Sequence, residues 1–255
     1  GVPHHMIDIK EPDESFSVAE FKVEAQKHIT DIHKRGKIPI IVGGSGLYIS
    51  ATLYDYQFTE QKRDPKFVQA LEEKIKQEGI MPLYKRLQQI DPIQAQKIHP
   101  NNHRRIIRAL EIYHTTGQTK SSIEKQQPTT SPYAPIFIGL TMEREQLYRI
   151  INERIDRMIE QGLVKEVRKF YDMGLKDHQS MRAIGYKEFI PYIKGKQTLE
   201  EAIEILKRNS RRYAKRQYTW FRNQLKIPWY SVDPDDPKKH FENIFQDLAG
   251  FLTEK

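Results

Sequence analysis

The run Ile38-Pro39-Ile40-Ile41-Val42 empties directly into Gly43-Gly44-Ser45-Gly46. An apolar run of strand length without polar alternation is the pattern of a strand covered on both faces, as in a parallel sheet. Upstream, Ser17-Val18-Ala19-Glu20 has the form of a capping box, which satisfies free amides at a helix start. Phe21, Ala25, Ile29 and Ile32 continue at helical spacing to about Arg35, with Gly36 as the stop. His4 to Ile9 reads as a short strand before that helix, so the opening predicts a βαβ unit. Past the glycines, Leu47, Tyr48, Ile49, Ala51 and Leu53 predict another buried helix, and ligands gather at such strand ends.

From about Lys66 to Lys120 strand patterns give way to short helical segments punctuated by Gly79, Pro82, Pro92, Pro100 and Gly117. The sheet resumes at Ile136-Phe137-Ile138-Gly139-Leu140. Thr141 can cap a long helix whose stripe runs from Leu147 to Phe170 and which Gly174 ends. Thr198-Leu199-Glu200-Glu201 is a second capping box, opening a helix to about Gln224. A strand at Trp229 to Val232 and a helix from Pro237 to about Phe251 close an α/β plan. The expected division is an α/β core over 1–65 and 121–255 with a small all-helical insertion over 66–120.

No apolar run approaches the roughly 18 residues a spanning helix needs, so an integral membrane protein is not expected. The absence of cysteine fits a reducing cytosol. Lys and Arg total 42 against 34 Asp and Glu, a net charge of +8, which suits a polyanionic partner where the excess is clustered. It clusters in Lys207, Arg208, Arg211, Arg212, Lys215, Arg216 and Arg222, a stretch without one acidic residue. At about 100° per residue these cations cover about half the helix, and Ala202, Leu206, Tyr213, Ala214, Trp220 and Phe221 occupy the opposite side. A solvated surface face is the plain alternative. The lack of compensating Glu at i,i+4 favours nucleic acid. A second cluster, Arg104, Arg105 and Arg108, follows Pro100-Asn101-Asn102, where an Asn can cap the helix. Two clusters on different elements suit RNA better than a small molecule.

The glycine loop would offer free amides and the Ser45 hydroxyl to a phosphate or diphosphate, although a tight strand-to-helix turn has the same composition. Gly195-Lys196-Gln197-Thr198 lacks the first glycine of a P-loop, since Ile190 stands there. His4 and His5 have no third metal ligand at useful spacing, and no Ser/His/Asp order is defensible.

Five stretches together resemble the tRNA dimethylallyltransferase (tRNA isopentenyltransferase) family. They are Gly1-Val2-Pro3-His4-His5 with Asp8-Ile9; Ile41 to Tyr48; Ile98-His99-Pro100-Asn101-Asn102 with Arg105 and Arg108-Ala109-Leu110-Glu111; Gln179 to Glu188; and Tyr213 to Arg222. The resemblance implies a P-loop NTPase-like parallel sheet core flanked by helices, with the helical insertion. It implies transfer of a dimethylallyl group from dimethylallyl diphosphate to the exocyclic amine of the adenosine 3′ of the anticodon, with Mg2+. The expected partner is the tRNA anticodon stem-loop, and the expected setting is a cytoplasmic monomer without membrane association.

In that family the target base is flipped into a channel shared with the donor. Gly43, Gly44, Ser45 and Gly46 are then donor-binding, and Ser45 and Arg182 act catalytically on the leaving diphosphate. Ser45 stands where the family usually has Thr, which keeps the hydroxyl. Arg104, Arg105, Arg108, Arg182, Gly185, Tyr186, Lys187, Arg208, Arg212, Lys215, Arg216 and Arg222 become tRNA contacts. The family's P-loop and the Asp proposed as its general base precede the point where this sequence begins. The expectation is therefore that metal ligands and base lie outside these residues, and that the 255 residues alone are inactive. Two other readings compete. A non-catalytic RNA-binding remnant predicts tRNA affinity without transfer, and a P-loop kinase relative predicts nucleotide turnover without RNA.

Overall fold

The computed structural model describes residues 1–58 and 64–253. In chain order its elements are α1 (Val18–Lys34), α2 (Gly46–Leu53), α3 (Pro65–Glu78), α4 (Met81–Ile90), α5 (Pro92–Lys97), α6 (His103–Thr116) and α7 (Lys120–Lys125). There follow β1 (Gly139–Thr141), α8 (Arg144–Glu160), α9 (Leu163–Asp172), two 3-10 turns at Leu175–Asp177 and Ser180–Arg182, α10 (Ile190–Ile193), α11 (Leu199–Gln224), β2 (Trp229–Ser231) and α12 (Pro237–Thr253). The chain divides into two compact units, Gly1–Leu53 with Tyr133–Lys255, and Tyr54–Pro132. Residues 59–63, within the stretch assigned to the core's first part, lie outside the described residues.

In the first unit α1 begins as its capping box requires: Ser17 accepts from the Glu20 amide and the Glu20 side chain accepts from the Ser17 amide. Thr198 and Glu201 open α11 in the same way. The buried centre of this unit gathers Ile155, Val167, Met181, Phe189, Ala202 and Leu206. The second unit, α3 to α7, has its own core around Leu71, Leu83, Leu87, Ile106 and Leu110.

The sheet of the described residues has two parallel strands, with Gly139 opposite Trp229 and Thr141 opposite Ser231. A Cβ at Gly139 would fall against the Trp229 indole and Ile227, so the missing side chain is what admits the ring. The expected strand over 38–42 is an irregular segment with Ile40 77% and Val42 90% exposed. A strand exists only through ladder hydrogen bonds to a neighbour, and among the described residues no neighbour pairs with it. His4 to Ile9 is not a strand either, because Met6 (φ 64°) and Asp8 (φ 53°) take left-handed conformations that interrupt any ladder. The expected opening βαβ unit is thus absent from the described residues.

The single helix expected from Thr141 to Gly174 is two helices. Gly162 at φ 102° breaks it, α8 starts after Glu143, and Gly174 (φ 85°) ends α9. Among the described residues no helix is long and apolar enough to cross a membrane.

Candidate functional site

Helix α11 is the element from which the first unit's candidate site is built. Taking Arg208 as zero and about 100° per residue, Arg212, Lys215 and Arg222 fall within about 40° of it, with Thr219 among them. All are exposed. The side chains of Arg208, Arg212 and Lys215 make no ion pair or hydrogen bond with the described residues, and Arg222 lies over the rings of Tyr218 and Trp229 at 5.6 and 5.3 Å. This is a ridge of positive charge without local neutralisation.

The remaining cations of the stretch are turned aside. Lys207, whose side chain is 16% exposed, places Nζ 2.7 Å from Asp156 Oδ1. Arg211 Nη1 donates to Asn152 Oδ1 at 2.7 Å and its guanidinium lies over Tyr148. Both partners are on α8, so these two residues dock the helix. Arg216 sits over the Tyr213 ring at 5.7 Å. Tyr213, assigned by helical phase to the apolar side, is 38% exposed. Its ring lies one turn before Gln217 and one turn after Asn209, the positions where two loops meet α11, and neither loop covers it.

One of those loops is Gly43–Gly46. A Cβ at Gly44 would fall inside the Gln217 amide, and a Cβ at Gly46 inside the Trp220 ring. The glycines are therefore required by close approach to α11. Gln217 is a site residue to which sequence reasoning assigned no role, and Trp220, placed by helical phase on the apolar side, is what the Gly46 backbone packs against. Ser45 is exposed beside them, and its carbonyl accepts from the Tyr48 and Ile49 amides to start α2.

The other loop carries Arg182. Met181 is buried and anchors the 3-10 turn, which leaves Arg182 exposed with Nη2 donating to the Asp177 carbonyl at 3.2 Å. Gly185 holds φ 101°, a conformation that favours glycine. Its amide donates to Glu188 Oε2 at 3.0 Å, and Asn209 Nδ2 on α11 donates to Glu188 Oε1 at 2.8 Å. Asn209 and Gln217 are eight residues apart, so the two loops meet α11 about 12 Å apart along its axis.

A depression of about 810 Å³ flanks the Arg182 loop, lined among others by Lys10, Phe16, Lys169, Phe170 and Tyr186. Gln179 closes one side by exchanging two hydrogen bonds with the Phe16 backbone, at 3.2 and 2.9 Å, and Ser180 Oγ donates to the Pro12 carbonyl at 2.7 Å. Gln179 and Ser180 stood in the family-like stretch without an assigned role, because their partners are more than 160 residues away. Tyr186 donates its hydroxyl to Glu166. Burial, then the hydrogen bond and charge of Glu166, push the Tyr186 phenol well above its usual range. Lys187 is exposed beside Glu188, with Nζ 3.9 Å from Oε1.

In the second unit Asn102 Oδ1 accepts from the Arg105 amide at the start of α6, as expected. Arg104 and Arg105 are exposed. Arg108 Nη1 instead donates to Glu111 Oε2 at 2.7 Å, and Glu111 is fully buried. Arg108 thus balances a buried carboxylate inside its own helix.

Among the described residues no three or more His, Cys, Asp or Glu side chains gather as a metal ligand set. They therefore offer magnesium no assembled site. His5 packs at a tilt against His28 at 4.4 Å between ring centroids, and the His4 ring nitrogen meets the Val2 carbonyl at 2.9 Å.

Residues 1–224 match the family described as IPP transferase. A tRNA dimethylallyltransferase of Oceanobacillus iheyensis is 56% identical over 255 residues, covering 100% of this chain and 82% of its own length. The crystal structure of a full-length tRNA isopentenylpyrophosphate transferase from Bacillus halodurans is similar with a TM-score of 0.69 at 50% identity, over 100% of this chain and 80% of that one. A eukaryotic dimethylallyltransferase acting on tRNA gives a TM-score of 0.80 at 30% identity, over 100% of this chain and 67% of that one.

Proposed function

The chain belongs to the IPP transferase family, and from that premise we propose how its residues share the work of prenyl transfer to tRNA. It is a tRNA-modifying transferase with a P-loop-like α/β fold, and its donor is a diphosphate. In our reading the donor is dimethylallyl diphosphate and the acceptor is the exocyclic amine of the adenosine 3′ of the anticodon. The amine nitrogen forms a bond to the allylic carbon, the carbon–oxygen bond to diphosphate breaks with its electron pair leaving on oxygen, and the amine gives up its proton to a general base that lies outside these residues.

Negative charge on the leaving oxygen grows along that path. A guanidinium at Arg182 and a hydroxyl at Ser45 act on it more strongly in the transition state than before it, which is the condition for raising kcat. Gly44 and Gly46 let the loop approach α11, and Gly43, Gly44 and Gly46 with Ser45 bind the donor. The acceptor amine is out of reach in a stacked helix, so the base must be extruded. Arg208, Arg212, Lys215 and Arg222 hold the backbone of the RNA while that happens, with Arg216 beside them. Gly185, Tyr186 and Lys187 line its approach to Arg182, and Arg104 and Arg105 contact the RNA from the helical unit. Arg108 is assigned instead to Glu111. Magnesium travels with the diphosphate, and the enzyme works as a cytoplasmic monomer.

The observation that carries this reading is the shared mounting: the Ser45 loop and the Arg182 loop both dock on α11, whose other face is the unneutralised ridge. Transfer of labelled prenyl from dimethylallyl diphosphate to an anticodon stem-loop tests it. Arg182→Ala should lower turnover by about 10²- to 10³-fold, the scale of losing one preorganised donor to developing charge, with tRNA affinity little changed. Equal losses in both would remove Arg182 from the diphosphate. A full-length protein that binds tRNA without prenylating it would favour the RNA-binding reading.

A further inference from the structure

Glu188 is 4% exposed and stands in the loop that presents Arg182. An ionised carboxylate is costly to bury unless its oxygens are met by donors. Here each oxygen has one: the Gly185 amide at 3.0 Å and Asn209 Nδ2 at 2.8 Å. A third bond, from Gln197 Nε2 to the Glu188 carbonyl at 2.7 Å, fixes the backbone behind it. One side chain therefore joins two elements. Gly185 lies three residues after Arg182, and Asn209 lies between Arg208 and Arg212 of the ridge. Gly185 also holds a left-handed conformation, so its amide direction sets the path of the loop from Arg182 onward.

We propose that Glu188 is the positioning residue of the transfer: it sets the Arg182 loop in register with the RNA held on α11. The proposal rests on the roles given above to Arg182 and the ridge. Glu188 touches no substrate. It acts by fixing the offset between the group that meets the leaving diphosphate and the surface that carries the acceptor. Small errors in such an offset cost about 10²-fold in rate per ångström.

Glu188→Gln keeps the volume but offers one acceptor and one donor to two donors, so one hydrogen bond must be lost. Combining it with Asn209→Asp restores the complement: the glutamine oxygen accepts from the Gly185 amide and its NH2 donates to the new carboxylate. The net charge of the pair is unchanged. At saturating donor and RNA, kcat of Glu188→Gln should fall by about 10- to 100-fold, with tRNA Kd within about twofold because the ridge is untouched. The double variant should recover most of the loss. Asn209→Ala, which keeps the Gly185 bond, provides a milder second variant with a smaller fall in kcat and the same unchanged Kd. Wild-type kcat in either single variant, tRNA affinity falling in step with kcat, or a double variant no better than Glu188→Gln would each overturn the proposal. All variants are made in the full-length protein, and failure of the prenyl-transfer reading would show separately, as absence of product from the full-length wild type.

Discussion

A methyl group at Gly46 would meet the Trp220 ring, whereas one at Gly44 would meet only the end of the Gln217 side chain. The amide can rotate away. The indole sits edge-on to Phe221 at 5.1 Å and cannot move without displacing it. Gly46→Ala should therefore cost about 1–3 kcal/mol, the usual penalty of overpacking, and Gly44→Ala clearly less. Urea unfolding of the two variants measures the difference, and equal shifts would mean that the loop is not pressed on the ring. The glycines stood out in the sequence as a phosphate cradle, but their contacts lie more than 170 residues downstream and no local pattern reveals them. Tyr186 gives a second test at this scale. Its folded pKa lies above its unfolded value near 10, so the stability it contributes is full below about pH 10 and is lost as pH rises through the folded pKa. Glu166→Gln removes the charge that helps to raise it, so the alkaline loss of stability, which still sets in near pH 10, should be smaller and end at lower pH in fluorescence-monitored unfolding.

Helix α11 separates two kinds of lysine and arginine that look alike in sequence. Arg212→Ala with Lys215→Ala should weaken tRNA binding and flatten the slope of log K against log salt by about 0.7–0.9 for each phosphate no longer neutralised. Lys207→Ala should leave that slope unchanged, because Lys207 is committed to Asp156. A slope that falls equally in both would return the ridge to an ordinary solvated face. Thr198→Ala removes the cap of α11 and should cost about 1 kcal/mol. Both capping boxes were legible because their residues and hydrogen bonds lie within four positions of each other. The strands expected over 4–9 and 38–42 are not formed among the described residues, since a strand is defined by a partner that a segment's own composition cannot name. The break at Gly162 was hidden for another reason: the apolar stripe from Ile155 to Val167 continues in phase across it.

The two hydrophobic cores share no residue, and each has fully buried members of its own, Leu87 in the helical unit and Val167 in the other. Leu87→Ala should cost about 2–5 kcal/mol and speed amide exchange across α3 to α6, leaving α8 and α11 protected as in the wild type. Exchange rising equally in both units would mean that they unfold as one. The expected helical insertion is recognisable from its prolines and glycines because they punctuate a region without strand patterns, while α8's role in holding α11 depends on Asn152 and Asp156, whose polarity alone marks them as surface. The mounting of two loops on α11 also bears on how such a chain can vary. Its length between Asn209 and Gln217 is a ruler graduated in steps of about 1.5 Å and 100°. Substitutions along the ridge alter grip gradually, but one residue inserted between those positions would swing one loop about a quarter-turn from the other, so the spacing of Asn209 and Gln217 constrains the site more tightly than the number of cations beside them.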